Sequence, residues 1–314
     1  MNAPAAAERQ CADAVLMIRP ARFGANPETA ESNRFQQGDA GAGAASAAWR
    51  EFDGLVEKLR AAGVEVHVAE DTPDPPKPDA CFPNNWVSFH ADGTAVLYPM
   101  MAPSRRAERR PELVERLRDA GFRIARTVDL SGWESRGEFL EGTGSLVLDR
   151  CHRIAYACRS PRTTAAALAD FAARLGYRTV VFDARGPAAE PLYHTNVMMA
   201  IGEGFAVVCA EAIPDAGERM AVLGGLAAAG HEPIEIGAGA MHGFAGNLLA
   251  LRSRDGAQLI AMSEAAWASL PAAARAALER HGRIVTGAIP VIERHGGGSV
   301  RCMIAEVFLP RERR

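Results

Sequence analysis

Short apolar runs alternate with alanine-rich amphipathic stretches along the chain, a pattern that predicts β-strands joined through helices rather than an all-helical or all-β protein. The pattern divides into five units. The first is predicted to run from a strand at 14–18 through a helix at 47–61 to a strand at 64–68. The second has strands at 86–89, 95–98 and 123–128 with a helix at 105–120. The third has strands at 145–148, 154–157 and 179–182 with a helix at 162–175. The fourth has strands at 197–201, 205–208 and 233–236 around a helix at 216–229. The fifth has strands at 248–251, 259–261 and 284–285, a helix at 264–281, and a closing strand at 303–309. The expected fold class is α/β: a five-bladed propeller of pseudo-repeated strand-helix-strand units. Residues 1–13 are expected to be a flexible N-terminal extension, and residues 14–314 a single catalytic domain.

A second regularity supports the repeat. Just ahead of each predicted inner strand stand Phe82-Pro-Asn84-Asn85, Leu140-Glu-Gly-Thr-Gly-Ser145, His194-Thr-Asn196, Ala245-Gly-Asn247 and Val300-Arg-Cys302. Polar residues recur at 85, 145, 196, 247 and 302, at intervals of 60, 51, 51 and 55. Units closed about one axis would bring Asn85, Glu141, His194, Asn247 and Cys302 to one mouth. Taken singly, each is an ordinary strand-capping turn.

Composition narrows the function. With 314 residues, 48% hydrophobic and 23% charged, the chain can bury a sizeable core. A net charge of -3 with no long basic run leaves no footprint for nucleic acid. No apolar stretch approaches the roughly 18 to 20 residues of a membrane span, and the start lacks the segments of a signal peptide, so no membrane partner and a cytoplasmic location are expected. The six cysteines are widely spaced with no Cys-x-x-Cys pair, which argues against a zinc site or a disulfide framework. A homo-oligomer stays open.

Cys302 follows the glycine-rich segment His295-Gly-Gly-Gly298-Ser-Val-Arg301 and opens the last apolar run. There a thiolate activated by Arg301, backbone donors or an imidazole would serve as nucleophile. His194, heading another inner strand, suits proton transfer, and Glu141 suits orientation of that imidazole.

These motifs resemble the pentein superfamily, which includes dimethylarginine dimethylaminohydrolases, arginine deiminases and amidinotransferases, over nearly the whole chain. Leu140-Glu-Gly-Thr-Gly144 is similar to the family's Leu-(Asp/Glu)-Gly-Gly-Asp element without its final acid, and Ser160-Pro-Arg162-Thr163 matches its Ser-x-Arg-Thr element. The resemblance implies Cys302 as nucleophile, His194 as acid and base, Glu141 as the triad acid, Arg162 as a clamp for substrate carboxylate and Asp79 as the contact for its amino group. A small-molecule amino-acid substrate follows, with no metal and no organic cofactor called for.

The departures concern the reacting end of the substrate. Where relatives read Pro-Asp-x-x-Phe-x-Glu-Asp, this chain reads Pro78-Asp79-Ala-Cys-Phe82-Pro-Asn84-Asn85, and where arginine deiminases have His-x-Asp it has His194-Thr-Asn196. Amides both donate and accept, so Asn85, Asn84, Asn196 and Asn247 suit a neutral ureido group better than a guanidinium. With Met17-Ile-Arg-Pro20 and Glu31-Ser-Asn33-Arg-Phe35, the pattern most resembles a bacterial pentein group associated with citrulline use, which implies hydrolysis of citrulline to ornithine. The rivals are an arginine deiminase, dimethylarginine hydrolase or amidinotransferase sharing the covalent step, and a non-catalytic pentein that keeps the fold as a binding protein.

Overall fold

The computed structural model describes residues 8–38, 43–186 and 188–312. Its strands form five three-stranded sheets. In chain order they are β1 (Ala14–Arg19), β2 (Glu65–Glu70), β3 (Val87–Phe89), β4 (Thr94–Leu97), β5 (Arg126–Asp129), β6 (Val147–Asp149), β7 (Ile154–Cys158), β8 (Arg178–Phe182), β9 (Met199–Ile201), β10 (Phe205–Val208), β11 (Glu232–Glu235), β12 (Leu249–Arg252), β13 (Gln258–Ser263), β14 (Arg283–Gly287) and β15 (Ala305–Val307). Each sheet repeats one plan. A short inner strand pairs antiparallel with the middle strand, which pairs parallel with an outer strand. A parallel neighbour needs a crossover, and the amphipathic stretches supply one helix or more per unit. The middle strands β4, β7 and β10 are buried at every position, which is why they read as unbroken apolar runs.

Three expectations are corrected. The helix predicted at 105–120 is two, Pro103–Arg106 and Pro111–Asp119, because Pro111 forces Arg110 into an extended conformation (φ -114°, ψ 93°). The helix predicted at 264–281 likewise breaks at Pro271 into Glu264–Ser269 and Ala272–His281. Last, the closing strand does not belong to the fifth unit. β15 pairs with β1 in register Ala14↔Val307 and Leu16↔Ala305, so the end of the chain supplies the inner strand of the first sheet. The fifth sheet is already complete with β12, β13 and β14.

Of the extension expected over 1–13, residues 1–7 lie outside the described residues, whereas residues 8–12 pack into the body. Glu8 is buried and accepts from Arg150 Nη1 (2.9 Å), Arg153 Nη1 (3.1 Å) and Tyr177 Oη (3.2 Å). Gln10 donates to the carbonyls of Leu148 (2.9 Å) and Ile201 (3.3 Å), joining the ends of two inner strands. No helix among the described residues is long and apolar enough to cross a membrane.

Removing the anion from a buried pair leaves its cation uncompensated. Glu8→Ala is therefore expected to cost about 3 kcal/mol in urea unfolding. A change within about 0.5 kcal/mol, the usual size for a surface position, would contradict the integral placement of this segment.

Candidate active site

Every inner strand is entered through a tight turn, and these turns carry the recurrent polar residues. Residues 83–85 form one turn of 3-10 helix ahead of β3, Gly142–Ser145 a short helix ahead of β6, and Thr195–Val197 another 3-10 turn ahead of β9. Two glycines let these turns approach one another. Gly142 has φ +45°, and a Cβ there would lie 2.2 Å from the Asn84 carbonyl oxygen. A Cβ on Gly144 would lie 2.7 Å from His194 Nδ1. The motif Glu141-Gly-Thr-Gly144 is thus a steric requirement for seating His194 beside Glu141.

Glu141 is wholly buried. One oxygen accepts the Met101 amide (3.1 Å); the other meets His194 Nε2 at 2.8 Å and Arg162 Nη1 at 3.4 Å, with Arg105 Nη1 at 3.8 Å. Burial works against ionisation, but the Arg162 guanidinium, the His194 hydrogen bond and Arg105 outweigh it and hold this carboxyl well below the usual range. With an ionised acceptor at Nε2, that nitrogen carries the proton. Burial pushes His194 down to about 4 despite Glu141, so the imidazole is neutral at pH 7.

Cys302 sits in the turn at 300–303, three residues before β15, where the sequence pattern suggested the strand itself would begin. Its Sγ lies 3.3 Å from Asn247 Nδ2 and 3.5 Å from Asn196 Nδ2. Asn247 Nδ2 also donates to the Asn196 carbonyl (3.0 Å), which identifies that end of the amide as nitrogen. The sulfur also lies 3.7 Å from Asn247 Oδ1, so both ends of that amide flank it. Arg301 does not take part: its guanidinium donates to Glu306 (2.8 Å) and to the Ile304 carbonyl.

One pocket contains Cys302, His194, Asp79, Asn85 and Arg162. The other expected binding residues lie behind it. Asn196 and Asn247 reach the sulfur instead of lining the pocket, and Asn84 is fully buried, accepting from Asn85 Nδ2 (3.1 Å). Arg162 reaches the pocket while donating to Ser32 Oγ (2.6 Å) and the Thr29 carbonyl (3.2 Å). Sequence reasoning missed Arg105, which donates to Asn85 Oδ1 (2.9 Å), pairs with both oxygens of Glu108 (2.9 Å each) and lies 3.6 Å from Asp79. In Ser104-Arg-Arg-Ala-Glu-Arg-Arg110 it reads as part of a solvated helical face. The Arg105–Glu108 spacing of three residues was the only clue. Burial raises Asp79 above the usual carboxylate range against the pull of Arg105 and Asn26, and pushes Glu108 up to about 7.

The pocket is narrow. About 10 Å³ of accessible space remains, roughly enough for one water molecule. The Gly297 carbonyl holds two of its walls together, accepting from Tyr193 Oη (2.7 Å) and Asn33 Nδ2 (3.1 Å).

The chain matches the family described as N,N dimethylarginine dimethylhydrolase, eukaryotic, over residues 19–309. No curated protein sequence matches it. Among solved structures it is similar to the N-terminal domain of ArgZ, an arginine dihydrolase from the ornithine-ammonia cycle in cyanobacteria, bound to substrate. The TM-score is 0.73 at 17% identity, over 94% of this chain and 99% of that one. Unliganded AgrE gives a TM-score of 0.75 at 17% identity, over 96% of this chain and 40% of that one. A dimethylarginine dimethylaminohydrolase adduct with S-methyl-L-thiocitrulline gives 0.63 at 16% identity, over 94% of this chain and 99% of that one.

His194 binds a proton at pH 6.5 in the unfolded chain but only near pH 4 when folded, so the unfolded state takes up the proton first. Its contribution to stability is intact above 6.5, falls as pH drops towards 4, and levels off below that. The urea midpoint should fall across this window, and His194→Gln should remove a share on the order of 3 kcal/mol. A pH slope identical in the two proteins would contradict the burial of a neutral imidazole.

Proposed function

Since the chain belongs to the N,N dimethylarginine dimethylhydrolase family within the pentein superfamily, we propose that it is a cysteine hydrolase of a ureido amino acid, citrulline, releasing ornithine. The family carries the coarser reading, hydrolysis of a C–N bond at a guanidino-type carbon. One observation carries the finer one. The polar groups closest to Cys302 Sγ are amides, and every carboxylate at or behind the pocket is already engaged: Asp79 with Asn26 and Arg105, Glu108 with Arg105, Glu141 with His194 and Arg162. A guanidinium brought to the sulfur would meet the Asn196 and Asn247 amides there instead of a carboxylate. A ureido group needs only matched donors and an acceptor.

In this reading the five sheets close about one axis as propeller blades, a view supported by the packing of β15 on β3, β6 on β9 and β9 on β12. Residues 14–314 then act as one catalytic domain. Arg162 and Arg105 offer guanidinium groups for the substrate carboxylate, and Asp79 faces the amino group. His194, neutral at rest, first accepts the thiol proton of Cys302. The thiolate attacks the ureido carbon, and the imidazolium, steadied by Glu141, returns the proton to the departing nitrogen. One C–N bond survives in the resulting thiocarbamate; water, with His194 as base, cleaves its C–S bond to give a carbamic acid, which loses carbon dioxide and so frees the second nitrogen. The balance is citrulline plus one water giving ornithine, carbon dioxide and ammonia.

A second reading, hydrolysis of arginine, draws on the fold shared with ArgZ, described as an arginine dihydrolase. Steady-state kinetics separate the two. Citrulline should exceed arginine in kcat/KM by about 100-fold, the value of one or two unmatched buried polar groups, with Cys302→Ala inactive on both substrates. Asn85→Asp with Asn196→Asp should depress citrulline turnover and tighten binding of arginine-like cations. A clear arginine preference in the unaltered protein would overturn the ureido reading and leave the cysteine step standing.

A further inference from the structure

A second cluster of chemically competent side chains lies well away from this site. Asp149 closes β6, at the end opposite the one that Glu141 precedes; His152 sits in the turn to β7, and His231 immediately precedes β11. One donor atom from each lies within 4.8 Å of the other two. His152 Nδ1 is 2.9 Å from both Asp149 oxygens, and His231 Nε2 is 2.9 Å from Oδ2. The two rings meet edge to face, their planes at 90°.

We propose that Asp149, His152 and His231 form a binding site for a first-row divalent cation, zinc by its donors, that staples the third sheet to the fourth. Asp149 is wholly buried, and among the described residues its only ionic partners are these two histidines; no lysine or arginine meets it. A divalent ion bound there would supply the countercharge that a buried carboxylate needs. Two imidazole nitrogens and one carboxylate are a zinc donor set. In tetrahedral zinc sites ligand atoms stand about 3.3 Å apart at bond lengths near 2.0 Å, so the 2.9 Å carboxylate–imidazole separations need open only by tenths of an ångström, while the two imidazole nitrogens already lie within 4.8 Å of each other. The His152 side chain is 46% exposed, which gives the ion a way in and leaves a position for water. The cluster escapes sequence reading because His231 is 79 residues from His152 and neither stands in a ligand-spacing motif.

The test uses the full chain carrying Cys302→Ser, which removes the active-site thiol as a competing ligand, stripped with EDTA and titrated with Zn²⁺ by calorimetry. One equivalent should bind, and saturating Zn²⁺ should raise Tm. His152→Ala, a change at an exposed side chain, should raise Kd at least about tenfold and abolish the Tm rise. His231→Gln should do the same, with circular dichroism confirming that the fold is retained. Saturable binding that His152→Ala leaves unchanged would overturn the assignment, as would no saturable binding in the starting protein.

Discussion

The candidate site depends on one buried carboxylate. Glu141 is fully buried and draws three separate parts of the chain to itself: the Met101 amide and Arg105 from the segment after β4, Arg162 from the segment after β7, and His194 ahead of β9. An anion so placed is tolerated only when those partners are in position together. It therefore acts as a joint between the second, third and fourth sheets as much as a participant in chemistry. Losing it would leave two buried guanidinium groups facing each other and free the imidazole to turn. The glycines beside it, at 142 and 144, follow from the same demand, since any side chain there would displace the Asn84 carbonyl or the His194 ring.

Around that joint, charge is distributed unevenly. Acidic and basic groups cluster where Asp79, Arg105, Glu108, Glu141 and Arg162 pair with one another, whereas the sulfur of Cys302 meets the amides of Asn196 and Asn247. A charged zwitterionic end and a neutral reactive end in one substrate suit this asymmetry. The engaged carboxylates also explain how a neutral imidazole can sit beside Glu141: Arg162 and Arg105 already satisfy much of its charge, so burial decides the state of His194.

Much of this was legible in the chain. Middle strands such as Ile154–Cys158 are buried on both faces and appear as continuous apolar runs. The polar residues at 85, 196, 247 and 302 recur because each unit enters its inner strand through a similar turn. Other features are properties of long-range packing. That β15 completes the first sheet instead of the fifth depends on where the two ends of the chain meet, which local pattern does not encode. Arg105 lies in a run of arginines whose other members are partly exposed, and its full burial with Glu108 distinguishes it. The sequence pattern places the amides at 196 and 247 near a shared mouth as expected binding groups, but that they contact the Cys302 sulfur instead of lining the pocket is set by side-chain direction.

The central claim is that Cys302 forms a covalent bond to the ureido carbon and that His194 then activates water. Intact-protein and peptide mass spectrometry of His194→Ala incubated with citrulline labelled with ¹³C at the ureido carbon tests it most directly. The account predicts that no labelled carbon dioxide is released, and that any labelled increment on the peptide containing Cys302, formed slowly without the imidazole, persists because its hydrolysis is blocked. Release of labelled carbon dioxide at the unaltered rate, with no label on that peptide, would contradict it.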